Sequence, residues 1–555
     1  MDVIVLPQKD CVSAKIVSSL EKVFPDNQMN SLPDLSSFSM FKNEKKSFQI
    51  VLLAKKGDKI TFEINSDLTA NLSFSYVKLI PCKLAAPKLS DNYYLSKKGG
   101  LYPDLLSPIK ENVIIAEYDG LNSIWVEIKP ISTDLPTGTF ELNFNIDGFK
   151  IPEKLSIEII NEFLPKQTLI YTNWFHTDCL MSYYKFDAFS EDYWRVVKNY
   201  LKRANEYGMN CVLTPLFTPP LDTEVGGERP TVQLVQVKFD GKNNYSFDFS
   251  LLQKWLDICD ECNIEYYEMS HFFTQWGAKH APKIIADVNG ETKQIFGWKT
   301  KANGKEYKEF LRQFSVEFKR FINERGIKDK CLIHVSDEPA PTMLRGYKKA
   351  SKIVHELFGE FKIVDAMSSY PLSRKCKMKY PIPANNMIEP FIGKTEELWT
   401  YYCCCQANKN VSNRFFSMPS QRNRVLGYQL YKYNVVGFLH WGYNFYYSQY
   451  SKRNINPYEE TDAGEAFSSG DAFVVYPKED GTPLNSLRLN VFYDAFQDMM
   501  ALQLLESKIG RDKTLKILEA DTDGVPITFS KYPHSAEWLL KTREKINNAI
   551  KEANK

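Results

Sequence analysis

Two carboxylates stand side by side at Asp337 and Glu338, inside the stretch HVSDEPAP from His334 to Pro341. The apolar run CLI precedes them and reads as the end of a strand, while Pro339 and Pro341 lock the turn that follows. Adjacent like charges repel, so an ordinary surface loop gains nothing from the pair. One structural account is an anion pair favoured by the dipole of the helix that follows. The chemical account is a proton-handling site, because coupled carboxylates split their pKa values and one keeps its proton near neutral pH. Ordinary two-carboxylate glycoside hydrolysis does not suit neighbours, since its two groups flank the scissile bond about 5 Å or more apart. Neighbours suit a scheme in which a 2-acetamido sugar attacks its own anomeric carbon through the amide oxygen. The Asp then holds the amide N–H and stabilises the oxazolinium, and the Glu protonates the leaving oxygen.

Alternation along the strand places His334, Ser336 and Glu338 on one face and Ile333, Val335 and Asp337 on the other. Polar residues then face inward, and Asp337 reaches the same rim only if the turn begins early. The elements around the pair must supply that rim. From residue 168 onward, strand and helix patterns alternate: TLIYTNWFH, NCVLTPLF, IEYYEMSHFF, CLIHVSDE, FKIVDAMSSY, NMIEPFI, LWTYYCCCQ and VVGFLHWGYNF read as eight strands. The first helix, SEDYWRVVKNYLKRANEYG, carries Ser190 as its cap. Eight such units predict a (β/α)₈ TIM barrel; a doubly wound sheet is the alternative, but no Gly-rich phosphate loop follows the first strand.

Before the barrel, residues 1–163 predict an antiparallel β-sandwich, from SFQIVLLAKK, KITFEINS, NLSFSYVKLI, SIWVEIKP, GTFELNFNI and EKLSIEIIN, with a short helical pattern near Ala14 to Val23. It shows no clustered exposed aromatics, so it is expected to support the barrel. The fold class is thus multidomain, α/β plus β: a sandwich over 1–163, a catalytic barrel over 168–510 after the linker FLPKQ, and a helical segment over 511–555 packed on the barrel.

Barrel chemistry sits where strands end. Those ends carry Trp174, His176 and Asp178, then His271 and Trp276, Ser369 and Tyr370, Glu389, Tyr401 and Gln406, and finally Trp441, Tyr443 and Asn444. Any one of them alone reads as packing; their convergence on one ring of strand ends reads as a sugar site. Trp441, beside Gly442, is expected to form the cavity floor. The aromatic share of 14% fits clefts that stack rings on pyranosides.

A net charge of +2 argues against nucleic acid as a partner, and no run of about 18 apolar residues suggests a membrane span. The opening MDVIVLPQKD lacks a signal-peptide pattern, and the eleven scattered cysteines read as reduced thiols, so a cytoplasmic location is expected. No His and acid cluster has ligand spacing, so no metal or cofactor is expected. Cys403, Cys404 and Cys405, placed on a strand, would alternate faces and fail to converge on an ion, which reads as packing.

The chain resembles glycoside hydrolase family 123 through NWFHTDCL, TPLFTPPLDT, SHFFTQWGA, FGWKT, HVSDEP, WTYYCCCQ, MPSQRNR, GFLHWGYNF and GDAFVVYPKEDGTPLNSLRL. These ordered stretches span roughly residues 171 to 490. The resemblance implies an exo-acting β-N-acetylgalactosaminidase of retaining, substrate-assisted type, with Asp337 and Glu338 as the catalytic pair and no cofactor. The expected substrate contacts are His176, His271, Trp298, Tyr370, Tyr401, Trp441, Tyr443 and Asn444. The tail departs from the family pattern, with Asn490 in place of an acid and Tyr493 in place of an Arg, where altered packing is expected. Two other readings stay open: a β-N-acetylglucosaminidase of the same mechanism, and an idle carbohydrate-binding protein. Oligomeric state and the glycan bearing the terminal sugar stay open too.

Overall fold

The computed structural model describes residues 13–131, 134–275 and 277–554. Trp276, a candidate from the sequence, lies outside them.

Ten strands precede the barrel, in two five-stranded sheets. One runs in the order 14–18, 46–54, 120–128, 72–82, 100–108, all antiparallel. The other runs 37–41, 149–160, 138–146, 59–65, 113–115. Its 37–41 strand pairs parallel with 149–160, a departure from the purely antiparallel expectation. Alternating apolar residues of both sheets, among them Phe48, Ile50, Ile124, Phe62, Leu142 and Ile157, build one shared core. Strand Gly120–Ile128 is buried along nearly its whole length instead of alternating. Its second face, through Trp125, joins the apolar cluster that continues into the barrel.

The helical pattern at Ala14 to Val23 is overturned: Ala14–Ser18 is a strand paired with Lys46–Ala54. Five residues pair along an existing edge, and sheet hydrogen bonds there outweigh a weak local helical preference.

Eight parallel strands follow: Ile170–Asn173, Cys211–Thr214, Tyr266–Met269, Cys331–Ile333, Lys362–Ala366, Tyr380–Ile382, Leu398–Tyr401 and Val435–His440. Each pairs with its sequence neighbour and the eighth returns to the first; the first and second share one registered pair, Thr172–Cys211, and the sixth and seventh meet only at an Ala384–Tyr401 bridge beyond the end of the sixth strand. The barrel is nearly closed, with one seam. At the seam the sixth strand carries Pro381 and is followed by Pro383, which lack the N–H that a second ladder needs.

The sixth strand was expected at NMIEPFI and lies earlier, at YPI. The expected stretch forms two single turns, Asn385–Met387 and Glu389–Phe391, with Pro390 in the second. Elsewhere helices follow the strands, including Glu191–Glu206, whose cap Ser190 accepts from the Tyr193 N–H at 3.2 Å. Loops after the second and third strands add a four-stranded sheet from 236–239, 245–248, 284–288 and 291–296.

Helix Leu487–Ile509 follows the barrel strands, packs on the helices Ser420–Arg424 and Leu426–Lys432, and is buried on almost every side. Its Arg488 is held by Asp104 of the N-terminal unit at 2.7 and 3.0 Å. Helix Ala536–Glu552 lies against this helix and strand 37–41. Its Arg543 bonds Asp498 at 2.7 Å and Glu44 at 2.8 Å.

Candidate active site

Parallel register sets the ends of the third, fourth and fifth strands beside one another. Glu268, His334 and Asp365 therefore meet in the lumen. His334 Nε2 lies 2.6 Å from Glu268 Oε1, and its Nδ1 lies 3.1 Å from Asp365 Oδ1. Burial alone would lower the pKa of His334, but the two carboxylates raise it to about 10, so the ring is an imidazolium at neutral pH. Glu268 also accepts from the Trp174 indole at 2.8 Å and from the Thr172 hydroxyl. Asp365 takes the Val335 and Ser336 N–H groups and the Tyr347 hydroxyl. This hydrogen-bonded net forms the floor of the lumen at the strand ends.

Above it the chain leaves strand geometry after Ile333, so the turn does begin early. Glu338 has φ +41°, the left-handed region that non-glycine residues avoid. Asp337 and Glu338 both line a cavity of about 270 Å³ at the strand ends. Asp337 Oδ2 accepts from Gln275 Nε2 at 2.9 Å. Glu338 Oε1 accepts from the Tyr401 hydroxyl at 2.5 Å. Burial raises the pKa of Asp337 well above the carboxylate range and the charge of Glu338 adds to it, while Gln275 and His334 act against the shift. Glu338 is raised as well: it is exposed to the cavity, yet dense protein around its carboxyl disfavours the charge, against the pull of Tyr401. The pair is thus set to hold one proton through neutral pH.

Trp441 forms part of the opposite wall, half-buried, with its indole N–H on Asp471 Oδ2 at 2.8 Å and its ring edge-on to Phe445 and Phe467. A Cβ on Gly442 would sit 2.5 Å from the Ala472 carbonyl oxygen, so glycine permits the close approach of backbone there. His176 lines the cavity with both ring nitrogens engaged: Nε2 donates to the Trp441 carbonyl at 2.9 Å, and Nδ1 accepts from Arg229 at 3.1 Å. Burial and Arg229 lower its pKa to about 3, which keeps it neutral.

Of the candidates named from sequence, Asp337, Glu338, Trp174, His176, Tyr401 and Trp441 share this cavity. His271 lies in the floor, stacked on His334 at 4.2 Å. Asn444 stands behind the wall, clamping the His176 backbone at 2.9 and 3.0 Å. Tyr443 is directed instead into the outer core, where it donates to the Tyr200 carbonyl. The strand stops at His440, so strand alternation does not place Tyr443. Trp298 lies in a separate cleft, bonded to the Gly227 carbonyl, because its loop belongs to the added sheet. Tyr370 begins a short helix and packs on Phe391, away from the cavity. Asp178 forms a buried pair with Arg229, and Gln406 braces the Cys403 N–H. Glu389 is exposed on its turn.

Sequence reasoning missed Gln275, Asp222, Gln449 and Phe467, which also line the cavity. Asp222, raised to about 6 by burial, lies in the stretch TPLFTPPLDT without a strand-end position to mark it. The expectation that the three cysteines alternate faces and fail to converge is overturned. The seventh strand stops at Tyr401, and Cys404 and Cys405 form a turn. Strand alternation no longer applies, and the three sulfurs converge to within 4.8 Å of one another.

A barrel that gathers paired acids and a half-exposed indole around one sugar-sized hole is built as a glycosidase. The sequence model of the glycoside hydrolase 123 catalytic domain matches residues 174–505, more than half of the chain, and the chain belongs to that family. Among solved structures it is similar to a family 123 glycoside hydrolase from Clostridium perfringens, described in terms of glycolipid glycan hydrolysis. That likeness has 16% identity, a TM-score of 0.75 and 98% coverage of both chains, and shows the shared fold. Bacteroides thetaiotamicron EndoBT-3987, at 8% identity over 81% of this chain and 96% of its own, has a TM-score of only 0.23 and carries no argument. No curated protein matches the chain.

Proposed function

We propose that this chain is an exo-acting, retaining β-N-acetylgalactosaminidase that uses the substrate's own acetamido group as nucleophile. The observation that carries the reading is the adjacency of Asp337 and Glu338 on one strand exit at the cavity. A two-carboxylate glycosidase needs its groups on opposite sides of the scissile bond, about 5 Å or more apart. In our reading Asp337, oriented by Gln275, holds the amide N–H and the growing oxazolinium charge, and Glu338 delivers the pair's proton to the leaving oxygen. Trp441 offers its face to the apolar side of the ring. A cavity of about 270 Å³ suits one substituted pyranose, which favours release of a terminal sugar. By analogy with the Clostridium perfringens enzyme, the bearer is a glycolipid glycan.

Hydrolysis of paired aryl β-GalNAc and β-GlcNAc substrates tests this, together with inhibition by a GalNAc-derived thiazoline. Faster turnover of the GalNAc substrate, tight thiazoline inhibition and full activity in excess EDTA are expected. Preference for GlcNAc would reassign the sugar. Binding of GalNAc without turnover of either substrate would replace the hydrolase with a sugar-binding protein.

A further inference from the structure

The seventh strand ends at Tyr401, and the next residues put three thiols on the wall of the same cavity. Cys403 is buried, Cys404 half-buried and Cys405 exposed, and their sulfurs all lie within 4.8 Å of one another. The Cys404 and Cys405 sulfurs are 3.8 Å apart. Two thiolates bound at about 2.3 Å to one ion, at a tetrahedral angle, stand about 3.8 Å apart. The turn is braced before any ion arrives. The Cys403 N–H donates to Gln406 Oε1 at 2.8 Å, and the Cys403 carbonyl accepts from Asn413 Nδ2 at 2.8 Å. Among the described residues every other cysteine is buried, so this cluster is where soft ions from solvent find accessible thiols.

We propose that Cys403, Cys404 and Cys405 form a binding site for a thiophilic divalent cation such as Zn²⁺ or Cd²⁺, and that the bound ion closes the cavity to sugar. Each coordinating thiol gives up its proton to solvent, and the exposed side of the site leaves a fourth position for water from the cavity. Glu338 and Asp337 line the same cavity, so an ion there meets negative charge on the facing surface. Carboxylates alone do not select a soft ion; thiolates do. The site is independent of which sugar the cavity takes.

The test uses the full chain carrying Cys11→Ser, which removes the cysteine outside the described residues, kept reduced with a phosphine and stripped of metal. Equilibrium dialysis against Cd²⁺ is expected to give one ion per chain, with a thiolate-to-cadmium absorption band in the ultraviolet. Cys405→Ser, at an exposed position, is expected to weaken binding at least tenfold. Cys404→Ser/Cys405→Ser is expected to abolish the band, with melting curves confirming that both variants fold. Inhibition by the ion, each protein measured against its own ion-free rate, is expected to follow the same order. No bound ion at tens of micromolar Cd²⁺, or the same stoichiometry and band in the double variant, would overturn the proposal. If the chain hydrolyses neither aryl substrate, dialysis and absorption still decide the metal site.

Discussion

Glu338 has a left-handed backbone past the end of its strand, and in the proposed mechanism the two acids before and at that bend divide one reaction between them. If Glu338 is the proton donor, Glu338→Gln is expected to lose most with poor leaving groups, by about 10²–10⁴-fold, and little with strongly acidic phenols. Asp337→Asn is expected to be damaging whatever the leaving group. kcat/KM across aryl β-GalNAc substrates of graded phenol pKa measures both. A flat loss for Glu338→Gln with a steep slope for Asp337→Asn would reverse the roles. The raised titration of the Asp337–Glu338 pair, which holds one proton between them, also has a stability consequence. The native state binds a proton more strongly than the unfolded chain, from the ordinary carboxylate range near pH 3.9 up to the raised value. Stability from this group is complete below that window and is lost as pH rises through it. Asp337→Asn keeps an acceptor for Gln275 and removes the charge, so it is expected to leave Tm unchanged near pH 3 and raise it at pH 8. Equal Tm shifts at both pH values would show that the carboxyl does not titrate abnormally. Both acids stood out in the sequence as neighbouring charges before prolines, and the structure places both at the cavity. Gln275 did not stand out, since nothing in a lone glutamine marks the carboxylate it will meet across two strand ends.

Among the elements, the eighth strand shows how the lumen is filled. A Cβ on Gly437 would lie 2.1 Å from the ring of Trp399, which is fully buried on the neighbouring strand. Gly437→Ala is therefore expected to cost about 1–3 kcal/mol through overpacking. Adding Trp399→Leu should recover part of it, as measured by urea unfolding. Additive losses in the double variant would show that the two positions do not share the space. Strands with uninterrupted apolar runs were legible. Those that pair as short edges, such as Ala14–Ser18, or that carry prolines, such as Tyr380–Ile382, were not, because their partners and not their composition make them strands. The cysteines were misread for a related reason: alternation was carried past the residue where the strand stops.

For the whole molecule, buried ion pairs join three stretches of chain, the N-terminal unit and the helices Leu487–Ile509 and Ala536–Glu552. Asp104 from the N-terminal sheets holds Arg488, and Glu44 with Asp498 holds Arg543. Asp104→Ala leaves a buried guanidinium without its counter-charge, an expected loss of about 3–5 kcal/mol. Calorimetry is expected to show one transition moved down as a unit. Two transitions with only one displaced would mean that the sheets and the barrel melt independently. The apolar cluster running from Trp125 into the barrel packs the N-terminal stretch against it, which fits the supporting role expected from its lack of exposed aromatics.

The seam between the sixth and seventh strands, held by a single bridge at Tyr401, is a place where backbone amides of this barrel have few ladder partners, as is the single Thr172–Cys211 pair between the first and second strands. Tyr401 also reaches across the lumen to Glu338 on the fourth-strand exit. A sugar held between these side chains links the seventh strand to the far side of the ring. Deuterium uptake read by mass spectrometry is therefore expected to slow over residues 380–401 when an inhibitor fills the cavity, and to slow less in Tyr401→Phe. Uptake unchanged by the inhibitor would mean that the seam opens without regard to what the cavity holds.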